Sequence, residues 1–227
     1  MHLKKNRDDL GLFLVEGDKM VTEALREFPE LIEEVYATQP LEANHFKGVS
    51  ELISDAELAQ ISTVKTPNKA LAVLRKPAKV DTNFSEGLIL VLDGVQDPGN
   101  MGTILRTADW FGVKMIVCSE DTADIYNPKV IQASMGSMLR MNVKYTALDT
   151  FLSTCQARIY GASLEGENVY RVALDKTAVL VMGNEGKGIR PNIQTFINSP
   201  IHIPGFGKAE SLNVAVATGI LLSEFTR

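Results

Sequence analysis

The chain of 227 residues has few cysteines, histidines and tryptophans: two Cys, three His and one Trp. Cys118 and Cys155 lack metal-ligand spacing, and His2, His45 and His202 are scattered along the chain. No structural metal and no disulfide framework are expected, which fits a reducing cytoplasm. Long apolar runs are absent as well; a membrane-spanning helix needs about 20 such residues, and no segment comes close. The opening stretch Met1-His2-Leu3-Lys4-Lys5-Asn6-Arg7 is polar, with no signal-peptide core behind it. Positive charge is in deficit: the formal net charge is −5. That argues against a protein that coats nucleic acid non-specifically, while leaving room for a local basic patch. Lys4, Lys5 and Arg7 form the densest basic cluster, and Lys65, Lys69, Arg75, Lys76 and Lys79 a looser one. Either could hold RNA or be an ordinary solvated surface.

What is present is a hydrophobic content of 45%, enough to bury a core as one or two domains. Residues 1–78 read as a small α/β unit. Strands are expected at Leu12–Val15, Ile32–Ala37 and Ala70–Leu74. A helix through Met20, Val21, Ala24 and Leu25 is expected to be capped by Asp18 and interrupted before Pro29. Residues 79–86, polar and close behind Pro77, read as a linker. From Gly87 to residue 227 strands and helices alternate. Strands are expected at Leu88–Leu92, Val113–Cys118, Met141–Tyr145, Ile159–Ala162 and Ala178–Met182, and helices at Gly102–Phe111, from Pro128 through Met135, and at Leu148–Gln156. Gly112 stands where a helix C-terminal glycine belongs. The fold class expected is α/β, with a mostly parallel sheet covered on both faces.

Three strand-to-helix junctions stand out. The first is Asp93-Gly94-Val95-Gln96-Asp97-Pro98-Gly99-Asn100-Met101-Gly102, with Arg106 one turn into the following helix. Ligands of parallel sheets favour this carboxyl edge. Arg106 could point back toward such a ligand, or simply pair with Asp97 or Asp109. The second is Gly183-Asn184-Glu185-Gly186-Lys187-Gly188, neither a P-loop nor a dinucleotide fingerprint. The third is Ile203-Pro204-Gly205-Phe206-Gly207 followed by Ser211-Leu212-Asn213-Val214-Ala215-Val216-Ala217, in which Ser211 is expected to cap the last helix. Asn213 is a polar amide in an apolar first turn and needs a partner, which backbone alone could supply.

Together, in this order, the three runs resemble the SpoU branch of the SPOUT RNA methyltransferases, also called the TrmH family, over residues 87–227. Lys5-Asn6-Arg7 and Gly11-Leu12-Phe13-Leu14-Val15-Glu16-Gly17 resemble that family's substrate-binding domain, which has a ribosomal-protein-like fold; the leading helix is expected to be short. The resemblance implies methyl transfer from S-adenosylmethionine to a ribose 2′-hydroxyl of rRNA or tRNA. It also implies a C-terminal trefoil knot and a homodimer. By matching position, Gly183, Ile203, Gly207 and Leu212 would contact the cofactor. Arg106, Asn100 and Asn213 would surround the reacting ribose, and Glu185 and Ser211 would shape the pocket or the dimer contact. Lys4, Lys5 and Arg7 would bind RNA. A guanidinium, which holds its proton tightly, is a poor base unaided, so a grip on the phosphate beside the target ribose suits Arg106 better; some accounts of the family make it the base. A non-catalytic RNA-binding module that kept the fold is the alternative. One departure is the run Gly205-Phe206-Gly207-Lys208, where many relatives carry a hydrophobic residue directly after the proline.

Overall fold

A computed structural model describes residues 3–41, 49–77 and 86–227. The linker expected at 79–86 lies, but for its last residue, outside the described residues. The first unit is a four-stranded sheet in the order β1-β4-β2-β3, from β1 (Leu12–Glu16), β2 (Ile32–Ala37), β3 (Val49–Leu52) and β4 (Ala70–Arg75). Three helices accompany it: α1 (Lys4–Leu10), α2 (Asp18–Glu27) and α3 (Asp55–Ile61). Met20, Val21, Ala24 and Leu25 form the buried face of α2, as their helical spacing requires. Asp18 is not its cap, contrary to expectation. Gly17 holds that position at φ 100°, and Asp18 is the first helical residue, its carboxylate accepting from the Lys19 N–H and from Asn68 Nδ2 rather than capping the helix. Strand β3 and helix α3 were not anticipated. A capping box in which Ser54 and Glu57 exchange hydrogen bonds starts α3, a pattern readable as Ser-x-x-Glu.

The second unit is a six-stranded, all-parallel sheet in the order β10-β8-β9-β5-β6-β7. Its strands are β5 (Leu88–Leu92), β6 (Met115–Cys118), β7 (Val143–Tyr145), β8 (Arg158–Asn168), β9 (Ala178–Met182) and β10 (Ser199–His202). Strands β6 and β9 are buried at every residue, the mark of a sheet covered on both faces. The helices are α4 (Pro98–Trp110), α5 (Pro128–Ser134), α6 (Leu148–Ser153), α7 (Pro191–Gln194) and α8 (Val214–Thr226). Helix α4 starts four residues before the expected Gly102, because Asp97 caps it and Pro98 occupies its first position. Helix α4 lies directly against α5. A Cβ on Gly102 would collide with the Ala133 side chain and the Val130 carbonyl, so only glycine permits this approach. No helix among the described residues is long and apolar enough to cross a membrane.

Candidate active site

The sheet order brings the carboxyl ends of β5 and β9 side by side, with β10 beyond β8 on the same edge. All three junctions therefore gather at one edge, and side-chain hydrogen bonds tie them together. Asn184 donates from Nδ2 to the Gly94 carbonyl at 2.8 Å, joining the second junction to the first. Its Oδ1 accepts from the Gly186 and Lys187 N–H groups at 3.0 and 3.1 Å, and its backbone bridges Gly188. Asp93, whose side chain is fully buried at the end of β5, accepts from the Arg190 backbone N–H at 2.8 Å and from its Nε at 2.6 Å. That hydrogen-bonded carboxylate raises the Arg190 guanidinium above its ordinary value. Asn184 and Asp93–Arg190 thus pin the Gly-rich loop at both ends. None of the three was singled out from the sequence; Asp93, a carboxylate ending a five-residue apolar strand, was the available signal.

Asn213 joins the third junction to the first. Its Oδ1 accepts from the Ala215 and Val216 N–H groups at 2.9 and 3.3 Å, so Asn213, and not Ser211, caps α8. With Oδ1 committed to the helix, Nδ2 must face outward, and it donates to Asn100 Oδ1 at 2.9 Å. Asn100 is then obliged to present Nδ2 on its other side, where it donates to Glu185 Oε1 at 2.8 Å. The helix cap fixes the polarity of the whole row, which runs Asn213 to Asn100 to Glu185 across all three junctions.

Arg106 is exposed about two turns along α4, with no hydrogen bond or ion pair among the described residues. Its two alternative partners are engaged elsewhere: Asp97 caps α4 and Asp109 pairs with Arg140 at 2.7 Å. Gly183 packs so closely that a Cβ would collide with the Gly188 and Ile189 backbone. Ile203 is half-buried against the core, while Gly207, Ser211 and Leu212 are exposed. Among the described residues the backbone of 205–212 makes no hydrogen bond, leaving a run of N–H and C=O groups at the sheet edge open to a ligand. No His/Cys/Asp/Glu cluster suited to a metal ion occurs among the described residues.

Lys4 and Lys5 are exposed on α1, as an RNA contact requires. Arg7 is not with them, and the expectation that it binds RNA is corrected. Its side chain is 3% exposed and pairs at 2.6 Å with Asp124 of the six-stranded unit. On α1, Arg7 lies about 200° round the helix from Lys5 and faces that unit, where Asp124 receives it.

The family model of the SpoU rRNA methylases matches residues 87–223, and that of the MRM3-like substrate-binding domain matches residues 1–72. The chain belongs to the SpoU rRNA methylase family. Among SpoU relatives, the Bacillus subtilis 23S rRNA (guanosine(2553)-2′-O)-methyltransferase RlmP is 31% identical over 98% of this chain and 91% of its own length. A TrmH-family RNA methyltransferase structure from Porphyromonas gingivalis is 37% identical with a TM-score of 0.87, covering 99% of this chain and 93% of the other. An AdoMet-bound rRNA methyltransferase from Sinorhizobium meliloti is 27% identical with a TM-score of 0.88, covering 99% and 90%. The SpoU fold expected from the three junctions is therefore the fold found.

Proposed function

We propose that this protein transfers a methyl group from S-adenosylmethionine to a ribose 2′-hydroxyl of RNA, with rRNA as the substrate class. The observation that carries this reading is the hydrogen-bonded union of the three junctions at one sheet edge, with Arg106 exposed on the helix that carries Asn100 and free of hydrogen bonds among the described residues. When bound, the cofactor supplies an electrophilic methyl on a sulfonium. Gly183, Ile203, Gly207 and Leu212 would hold it, mostly through backbone, on the loops that Asp93, Asn184 and Arg190 fix in place.

Arg106 grips the phosphate beside the target ribose with its two-pronged guanidinium and so fixes the position of the 2′-oxygen. The hydroxyl proton leaves toward that phosphate or water. Asn100, Asn213 and Glu185 keep the three junctions in register around the ribose, and Ser211 lies beside them on the same segment. Lys4 and Lys5 contact RNA from the first unit, which we read as a substrate-binding domain over residues 1–78 beside a methyltransferase domain over 87–227. The RlmP name, which specifies 23S rRNA, and the match to the SpoU rRNA methylase family favour rRNA over tRNA.

We further read this protein as a cytoplasmic homodimer with a knotted C-terminus. An open groove between α4 and α8, lined by Thr103, Thr107, Val216, Gly219 and Ile220, supports the dimer. Val216 is 52% exposed on a helix that is apolar nearly all round, and Trp110, one turn beyond Thr107, is 85% exposed. The knot rests on the resemblance of residues 87–227 to the SpoU family, whose model matches residues 87–223.

The test is calorimetry of cofactor binding alongside transfer of labelled methyl to rRNA, for the wild type and Arg106→Ala. Binding retained with transfer lost supports the positional role of Arg106. Equal loss of both would sink it.

A further inference from the structure

The contact between the two units is held by more than apolar packing. Arg7, from α1, donates from a terminal guanidinium nitrogen to Asp124 Oδ2 at 2.6 Å, with side chains only 3% and 12% exposed. Asp124 sits on a braced turn. Its Oδ1 accepts from the Tyr126 N–H at 3.0 Å, and Tyr145 donates to the Ala123 carbonyl while accepting from the Ile125 N–H. Around the pair, the Phe13 and Tyr126 rings lie 4.9 Å apart, and Lys76 Nζ stands 4.6 Å from the Tyr126 ring centre. Gln132 Nε2, on α5, donates to the Glu16 carbonyl at 3.2 Å. Farther out, Arg140 bridges Glu23 of the first unit and Asp109 of α4.

These contacts converge on α5 and the turn before it, and α5 is the helix on which α4 lies with only Gly102 between them. Helix α4 carries Asn100 and Arg106. One short path therefore leads from the RNA-facing unit to the arginine, through β1, α5 and α4. A purely apolar contact would tolerate sliding of one unit on the other. A buried, directional ion pair does not, because any slip leaves two desolvated charges unpaired.

We propose that Arg7 and Asp124 are positioning residues that lock the first unit in one register on α5, so that RNA held by that unit presents a single ribose to Arg106. This rests on the methyltransferase reading above and deepens it. The first unit then acts as a fixed gauge measuring from its RNA contact to the reacting site, and the pair determines which nucleotide is modified.

The experiment maps 2′-O-methylation at nucleotide resolution on rRNA treated with the wild type, Arg7→Ala, Asp124→Ala and the exchanged variant R7D/D124R. Cofactor affinity is measured on each. Absence of wild-type methylation would overturn the underlying reading and the gauge with it. With a competent wild type, the single variants should bind cofactor normally, lose about 100-fold in kcat on the target nucleotide, and place a larger share of their methyl groups on neighbouring riboses. The exchanged variant should recover part of the loss. Unchanged selectivity in single variants that bind cofactor overturns the proposal. Should the variants fail to fold, native-state hydrogen exchange on the wild type decides. Segments 12–16 and 128–134 should open together as one unit, and independent opening of 12–16 overturns the lock.

Discussion

Replacing Asn213 with Asp separates the two jobs of that side chain. Oδ1 caps α8 by accepting from the Ala215 and Val216 N–H groups, while Nδ2 donates to Asn100. An aspartate keeps the cap and adds negative charge at a helix N-terminus, a gain of about 0.3–1 kcal/mol. Alanine removes the cap, a loss of about 1 kcal/mol, or about 2–4 °C in Tm for a chain of this size. The second job is affected in the opposite order. An aspartate oxygen would face Asn100 Oδ1, acceptor against acceptor. If Asn100 turned over to relieve this, its own oxygen would face the Glu185 carboxylate instead. Either way a hydrogen bond in the row becomes a repulsion, costing about 1.5–3 kcal/mol, which corresponds to about 10- to 100-fold in kcat/KM if that geometry serves the transition state. Alanine loses the bond without gaining the repulsion. Asn213→Asp should therefore be the less active of the two variants even where its melting temperature is no lower than that of Asn213→Ala. Thermal melts and methyl-transfer kinetics on the same preparations check this. Activity that follows stability, or a fully active Asn213→Asp, would refute the fixed polarity of the row.

Gly183→Ala should weaken cofactor binding by more than about tenfold in calorimetry, because the added Cβ meets backbone on both Gly188 and Ile189 and the loop must shift; unchanged affinity would place the cofactor elsewhere. Asp93→Asn removes the charge that holds Arg190 and should cost about 1–3 kcal/mol, seen as a lower urea midpoint at an unchanged m-value. Lys76→Met probes pH dependence. The hydrogen bond from Lys76 holds the Asp8 carboxyl below the usual range. Its contribution is present above the unfolded value of about 3.9 and is lost as pH falls through the lower folded value. The stability difference between wild type and Lys76→Met should thus be level from about pH 5 to pH 7 and shrink below about pH 4. A difference that grows on acidification would contradict this assignment.

The parts of the fold legible in the sequence were those set by local pattern. Leu88–Leu92 and Ala178–Met182 are unbroken apolar runs, and each is a central strand at the expected residues. Asn127-Pro128 and Gly112 mark helix ends through their own backbone chemistry, and both do so here. The three junctions were found because their spacing is local, whereas their union depends on strand order, which no local pattern encodes. Arg7 shows the limit most clearly. Its neighbours in sequence are lysines, but its partner is 117 positions away, so composition placed it on a basic surface and tertiary packing placed it in a buried pair. Ser211 and Asn213 are both good capping residues two positions apart, and the strand-to-helix geometry chose the second. Asp18 gave way to Gly17 in the same manner, since a φ of 100° at that turn favours glycine.

The most direct test of methyl transfer to ribose is to incubate the protein with methyl-labelled S-adenosylmethionine and rRNA from cells lacking it, then digest the RNA to nucleosides and separate them. Label in a single 2′-O-methylated nucleoside, abolished by Arg106→Ala, is the expected result. Label on a base, or equal labelling by the Arg106→Ala variant, would contradict it.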